Sequence, residues 1–185
     1  AILGDVVEIA PGVYNENLVV TRGVTLRGTG AGMATPGDLT DDSVVDGGGS
    51  NRTIACGNGW TLTDVSLADL TIRNGGSNNG ANVFMDSTAG QIRNCHIAQG
   101  RTQHSGSLGY GAGVGLFDGC DVAIRGCLLT TNDGWGLGGA IYVEGSEADI
   151  TGNRIVACQA DNGGAVVLVN ATVRLESNLL LDNLA

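Results

Sequence analysis

A chain of 185 residues that is 42% hydrophobic but only 4% aromatic, with 32 glycines, suits one domain filled by Val, Ile, Leu and Ala between frequent turns. Nineteen acids against nine bases, every base an arginine, leave a formal charge of −10, which excludes the basic footprint that nucleic acid requires. No apolar run approaches the ~18 residues of a membrane-spanning helix, so membrane insertion is not expected either.

The first segment, "GDVVEIAPGVYNENLVVTRGVTLRGTG" from Gly4 to Gly30, strings short β-branched runs between Gly, Pro and Asn, which is strand and turn punctuation. A long loop carrying Asp41 and Asp42 follows. From Leu67, Leu70 and Ile72 onward the chain repeats itself. Aligned on Asp86, Asp118, Glu144 and Asn170, successive rounds are 32, 26 and 26 residues long. Cys95, Cys127, Asn153 and Asn178 then form a second column. Ile92, Ile124, Ile150 and Leu175 form a third, and Ile97, Leu129, Ile155 and Leu180 a fourth. Four columns moving together predict coils that stack.

Each round holds three short runs. The first strands read "ANVFM", "GVGLF", "GAIYV" and "AVVLV"; the second lie around "QIR", "VAIR", "ADIT" and "TVRLE"; the third follow the Cys/Asn column. No window keeps a helical period. A period of about twenty-five residues with three strands predicts an all-β, single-stranded parallel β-helix of roughly seven coils. Asn153 and Asn178 are expected at the tight bend, where Asn tolerates left-handed φ and stacked side chains can bond to one another. Cys95 and Cys127 join this structural turn ladder as stacked, buried thiols. Five cysteines leave at least one unpaired within the chain.

These features resemble the right-handed parallel β-helix proteins of the pectate-lyase-like superfamily over essentially the whole chain. The Gly4–Gly30 segment looks like the opening coil of many members, and the "GGAI" and "GN" punctuation resembles their bacterial, surface-exposed repeat members. The resemblance implies a right-handed solenoid and an extracellular or cell-surface location. It implies activity poorly, because one fold hosts many functions. The family usually opens on a capping helix, whereas this chain begins almost on a strand and stops after "LLLDNLA". Residues 1–185 are therefore expected to be one β-helix domain, a part of a longer protein that lacks its end caps.

Candidate sites fall into three groups. Asp86, Asp118 and Glu144, with Asn170 next, end the first strand. They read either as turn chemistry or as a calcium site built from stacked oxygens, which the family resemblance also suggests. The connections from third to first strand, "QGRTQHSGSLGYGA" and "TNDGWGLGG", vary in length and are expected to bulge from one edge of the solenoid. They carry Arg101, His104, Tyr110, Asp133 and Trp135, a set suited to stacking on a sugar and bonding its hydroxyls. Finally, two apolar columns occupy successive positions of the first strands, Phe84/Leu116/Tyr142/Leu168 and Met85/Phe117/Val143/Val169, so one of them should face outward unless a bend at the strand end turns both inward. An outward apolar stripe fits a polysaccharide, another protein chain or a covering loop.

Catalytic signatures are weak. "GVYNE" at Gly12–Glu16 resembles the opening of pectin methylesterases, but their later acid-containing segments have no counterpart here. Asp41 and Asp42 stand without the remaining polygalacturonase motifs, and Arg93 and Arg125 share a column of solvated strand residues. The sequence therefore favours a non-catalytic, secreted or surface module that scaffolds or binds glycans or partners. The alternatives are a calcium-dependent lyase or hydrolase acting on an acidic polysaccharide, and a segment of a surface fibre or adhesin.

Overall fold

The computed structural model describes residues 2–31, 41–57, 61–103 and 108–185. Their strands stack in parallel into four sheets. The second-strand sheet has seven strands, from Val6–Glu8 through Thr88–Arg93, Asp121–Arg125 and Glu147–Thr151 to Thr172–Glu176. The third-strand sheet also has seven, from Gly12–Asn15 through Ser43–Asp46, Thr71–Arg73, His96–Ala98 and Leu128–Thr130 to Leu179–Leu181. The first-strand sheet has six, among them Val83–Asp86, Val114–Phe117, Ile141–Glu144 and Val166–Val169. A fourth, short sheet joins Gly109–Tyr110, Asp133–Leu137 and Gln159–Asn162.

Every strand pairs with its counterpart one coil away, so like positions meet. Leu67, Ile92, Ile124, Ile150 and Leu175 are successive register partners. Ile72, Ile97, Leu129, Ile155 and Leu180 are likewise in register. Both columns point inward and are sealed from solvent until the last coil, where Leu175 and Leu180 are exposed. Burying a Leu or Ile contributes about 1.5–3 kcal/mol. The column therefore acts as the main stabilising element, adding one such residue per strand per coil.

The corners share one grammar. A left-handed residue turns the chain, and where the next residue is Asn or Ser it points inward and accepts a backbone N–H from a neighbouring coil. The thiols of Cys95, Cys127 and Cys158 instead donate to carbonyls of the preceding coil. Before the third strand, Asp69, Asn94, Gly126, Gly152 and Ser177 are left-handed (φ 55, 50, 61, 67 and 53°). Asn153 and Asn178 follow the bend and do not form it, which corrects the expectation that they supply its positive φ. Asn153 Oδ1 accepts the Cys127 N–H at 2.8 Å, and Asn178 Oδ1 accepts the Asn153 N–H at 2.9 Å. Their amides donate onward to the carbonyls of Ile124 and Ile150. A buried amide with both ends bonded is favourable, whereas one left unpaired is costly.

Two further corners repeat the device. After the third strand, Asn132 accepts the Gly100 N–H at 2.9 Å, and Asn183 accepts the Cys158 N–H at 3.0 Å. After the first strand, the Ser146 hydroxyl accepts the Cys120 N–H at 3.1 Å. Cys95, Cys120, Cys127 and Cys158 occupy these inward corner positions, and all five cysteines are free and buried. Burial pushes the Cys95 thiol well above its usual pKa and that of Cys56 up to about 12.

Candidate binding face on the short sheet

The connections from third to first strand do not simply bulge. They form the short sheet, because Arg101 bridges to Asp133, Gly109 pairs with Gly136 and Tyr110 with Leu137. Along Asp133–Leu137 the glycines at 134 and 136 face inward, and Asp133, Trp135 and Leu137 face outward. A pleated strand gives that alternation. The strand is pinned from beneath: Asp133 N–H donates to the Gly100 carbonyl at 2.8 Å and Trp135 N–H to the Thr102 hydroxyl at 2.6 Å. Thr102 itself is fully buried, so the anchor is rigid.

Arg101 and Asp133 lie side by side, Nε to Oδ2 at 3.5 Å, with the Arg101 side chain 72% exposed. Trp135, two residues along the same outer face, is 48% exposed. Next to the ion pair opens a cleft of about 690 Å³, lined by Asn74, Gln99, Arg101, Thr131 and Asp133 over a rim of glycines. That is within the range of small-ligand sites. Tyr110 turns away from this group and packs on Tyr142, with ring centroids 4.9 Å apart. His104 lies outside the described residues. Asn74, Gln99 and Thr131 were missed as candidates. Their signal is positional: each is the left-handed corner residue after a third strand (φ 55, 56 and 51°).

The first-strand columns need correction by one residue. Met85 pairs with Leu116, Leu116 with Val143, and Val143 with Leu168; this is the inward column. Phe84 pairs with Gly115, Gly115 with Tyr142, and Tyr142 with Val167, which forms the outward column. The alignment misread two coils: one in which Asp118 and Gly119 both take the turn (φ 51 and 83°), and the last, where Val169 is the partner of Glu144 and Asn170 (φ 48°) is the turn residue. The outward stripe is covered within the chain. Phe117 leans over Gly115, where a Cβ would lie 2.6 Å from its ring. It stacks on Phe84 at 5.3 Å and meets Tyr142 at 5.6 Å. The Arg52 guanidinium sits 4.0 Å from the Phe84 ring centre, and burial lowers its pKa. Phe117 and Tyr142 retain only 8% and 2% exposure.

The same shift separates the three acids. Asp86 pairs with Phe117, and Glu144 with Val169, so an aromatic residue occupies the coil between the two carboxylates. Asp118 is the corner residue one position later, the counterpart of Ser87, whose hydroxyl donates to the Asp118 carbonyl at 3.0 Å. The same Ser87 hydroxyl lies 2.9 Å from Asp86 Oδ1, so its one proton is shared between the two acceptors, and Glu144 accepts from the Tyr142 hydroxyl at 3.1 Å. Burial and then Glu144 raise the Tyr142 pKa. Among the described residues no group of three or more His, Cys, Asp or Glu is placed to hold a metal ion. Arg93 and Arg125 are register partners, and each pairs with an acid, Asp69 at 3.4 Å and Asp149 at 2.5 Å.

A comparison with protein families agrees with the stacking. Residues 39–184 match the family described as the right-handed β-helix region. The chain is a member of the right-handed β-helix family. No curated protein and no solved structure matches it. For this β-helix the family establishes the coil and its hand, while the short sheet and its outer face are read from the chain's own residues. Among the described residues no helix is long and apolar enough to cross a membrane.

Proposed function

We propose that this β-helix is a non-catalytic module, secreted or displayed at a cell surface, that binds a glycan on the outer face of its short sheet. The observation that carries the reading is Trp135: a large aromatic, half-exposed, two residues along the strand from Asp133, which pairs with Arg101 and lines a polar cleft. An indole face stacks on the apolar face of a sugar ring, and a guanidinium–carboxylate pair bonds to vicinal hydroxyls. The engagement of Asp86 and Glu144 with neighbouring hydroxyls favours binding over acid–base chemistry, which needs carboxylates converging on one bond.

A glycan array probed with the purified chain, with and without calcium, tests this directly. Binding to a defined set of glycans, abolished by Trp135→Ala and weakened by Arg101→Ala, is expected. Binding that survives Trp135→Ala, or none across the array, would remove the reading. Loss of binding on calcium removal would return attention to the acids at the first-strand corner.

A further inference from the structure

The cleft beside Arg101 is built by stacking, and stacking gives it a direction. Its polar side chains come one per coil from the corner after the third strand: Asn74, Gln99 and then Thr131. The N–H groups of these three residues donate to Ala98, Thr130 and Val156 of the following coil at 3.3, 3.2 and 3.2 Å. The corner therefore climbs the solenoid at the strand spacing of ~4.8 Å. A second row runs beside it, because Arg101 bridges to Gly76 on one side and to Asp133 on the other. Gly48 and Gly49, both left-handed, would meet nothing within 4 Å if they carried a Cβ, so the trough is open at that end. At the other end Ala157 takes the corner, and the polar row is interrupted.

Two observations set this row apart from ordinary turns. Thr131 is β-branched yet takes φ 51°, while the equivalent corners give that conformation to Asn74, Gln99, Ala157 and Asp182. A β-branched residue there is strained, and such strain clusters at ligand clamps. The Gln99 and Thr131 side chains stand exposed on corners fixed through their backbones. The second observation is charge. Asn, Gln and Thr are neutral, and Arg101 Nε stands 3.5 Å from Asp133 Oδ2, longer than a good hydrogen bond. Guanidinium and carboxylate can both bond outward. On a chain of net charge −10 this is a locally neutral trough of donors and acceptors.

We propose, on the glycan-binding reading above, that the cleft takes a neutral, linear oligosaccharide laid along the solenoid axis, with Gln99, Arg101 and Thr131 bonding successive sugar units. From the Gly48–Gly49 rung to Thr131 the trough crosses three coil spacings, roughly 14 Å, which a single sugar ring does not fill. An acidic polymer would set its carboxylates against Asp133 and the field of the whole chain. The strained Thr131 turn presents a hydroxyl at the last rung before Ala157.

Calorimetry on the full chain with gluco-, manno- and xylo-oligosaccharides of one to six units, beside oligogalacturonates, tests this. Affinity for a neutral series should rise over the first few units, level off once the trough is full, and change little with salt. Gln99→Ala and Thr131→Gly should each weaken the longer oligomers about three- to tenfold, the loss of one hydrogen bond, and leave the single sugar unchanged. Thr131→Gly should also hold or raise the unfolding midpoint, since glycine accepts φ 51° without strain. Affinity independent of length, both variants binding like the parent, or a preference for oligogalacturonates overturns the proposal. In any of those cases, binding that still vanishes in Trp135→Ala keeps the glycan reading and puts the ligand on Trp135 alone. Binding indifferent to Trp135→Ala removes that reading and this proposal together.

Discussion

At the corner before the third strand, Cys127, Asn153 and Asn178 all point inward, and each coil repeats the contact of the last. On the short sheet Asp133, Trp135 and Leu137 point outward, and their neighbours one coil away, Gln159 and Asn162 or Tyr110, are different residues. Both regions use left-handed turns and the same ladder of backbone hydrogen bonds. They differ in what neighbouring coils demand. An inward residue must match its neighbours in volume and in hydrogen bonding, because the core has no room for mismatch. Leu137 and Tyr110 pack on the aromatic cluster, whereas Trp135 meets solvent, so its identity is open to selection for binding.

The contrast breaks most sharply inside. Ile97→Ala empties a fully buried position between Ile72 and Leu129 and should cost about 2–5 kcal/mol, read from urea or thermal unfolding. A cost below about 1 kcal/mol would show that the stack collapses to fill the gap and that the inner columns are looser than their register implies.

Asn153→Ala comes next. It strands the Cys127 N–H and the Ile124 carbonyl, for about 1–3 kcal/mol per group left unpaired. Asn153→Cys sharpens the comparison, because thiols hold the equivalent place in two earlier coils. It should cost less than the alanine. If the two substitutions are equal, the corner needs only a small side chain and the hydrogen bond contributes nothing.

A third test uses pH. Burial lowers the His96 pKa, partly opposed by Asp42 and aided by Arg73. The unfolded chain therefore binds a proton more readily than the folded one. Stability from this group is fully present above the unfolded pKa of about 6.5 and is lost as pH falls toward the depressed folded value. His96→Gln should flatten that part of the stability–pH curve. An unchanged slope would mean that other groups set it.

The coil and its inner columns were legible because stacking writes them into the sequence at a fixed period. Ile92, Ile124 and Ile150 recur in step because each must fill the same space. The acids misled because Asp86, Asp118 and Glu144 look alike in a list of types, yet a single extra turn residue, Gly119, moves Asp118 out of their column. Nothing inside the sheet requires the sequence to mark that insertion. The covered aromatic stripe was half legible. Alternation shows that one column must face out, but only the packed rings show that Phe117 folds over Gly115 to cover it.

The smallest expected change in stability belongs to Trp135→Ala. Its side chain is half-exposed, its strand is held by backbone bonds to Gly100 and Thr102, and those bonds survive the substitution. Unfolding should shift by less than about 1 kcal/mol, within the usual range for surface positions. Glycan binding, by contrast, should disappear, because stacking of this kind dominates when one aromatic anchors a small interface. The pairing of results carries the argument. Stability and binding lost together would make Trp135 part of the cover over the short sheet, and the outer face would then obey the same rule as the inner corners. Binding lost with stability intact would place function on a surface of the coil where stacking does not dictate the residue.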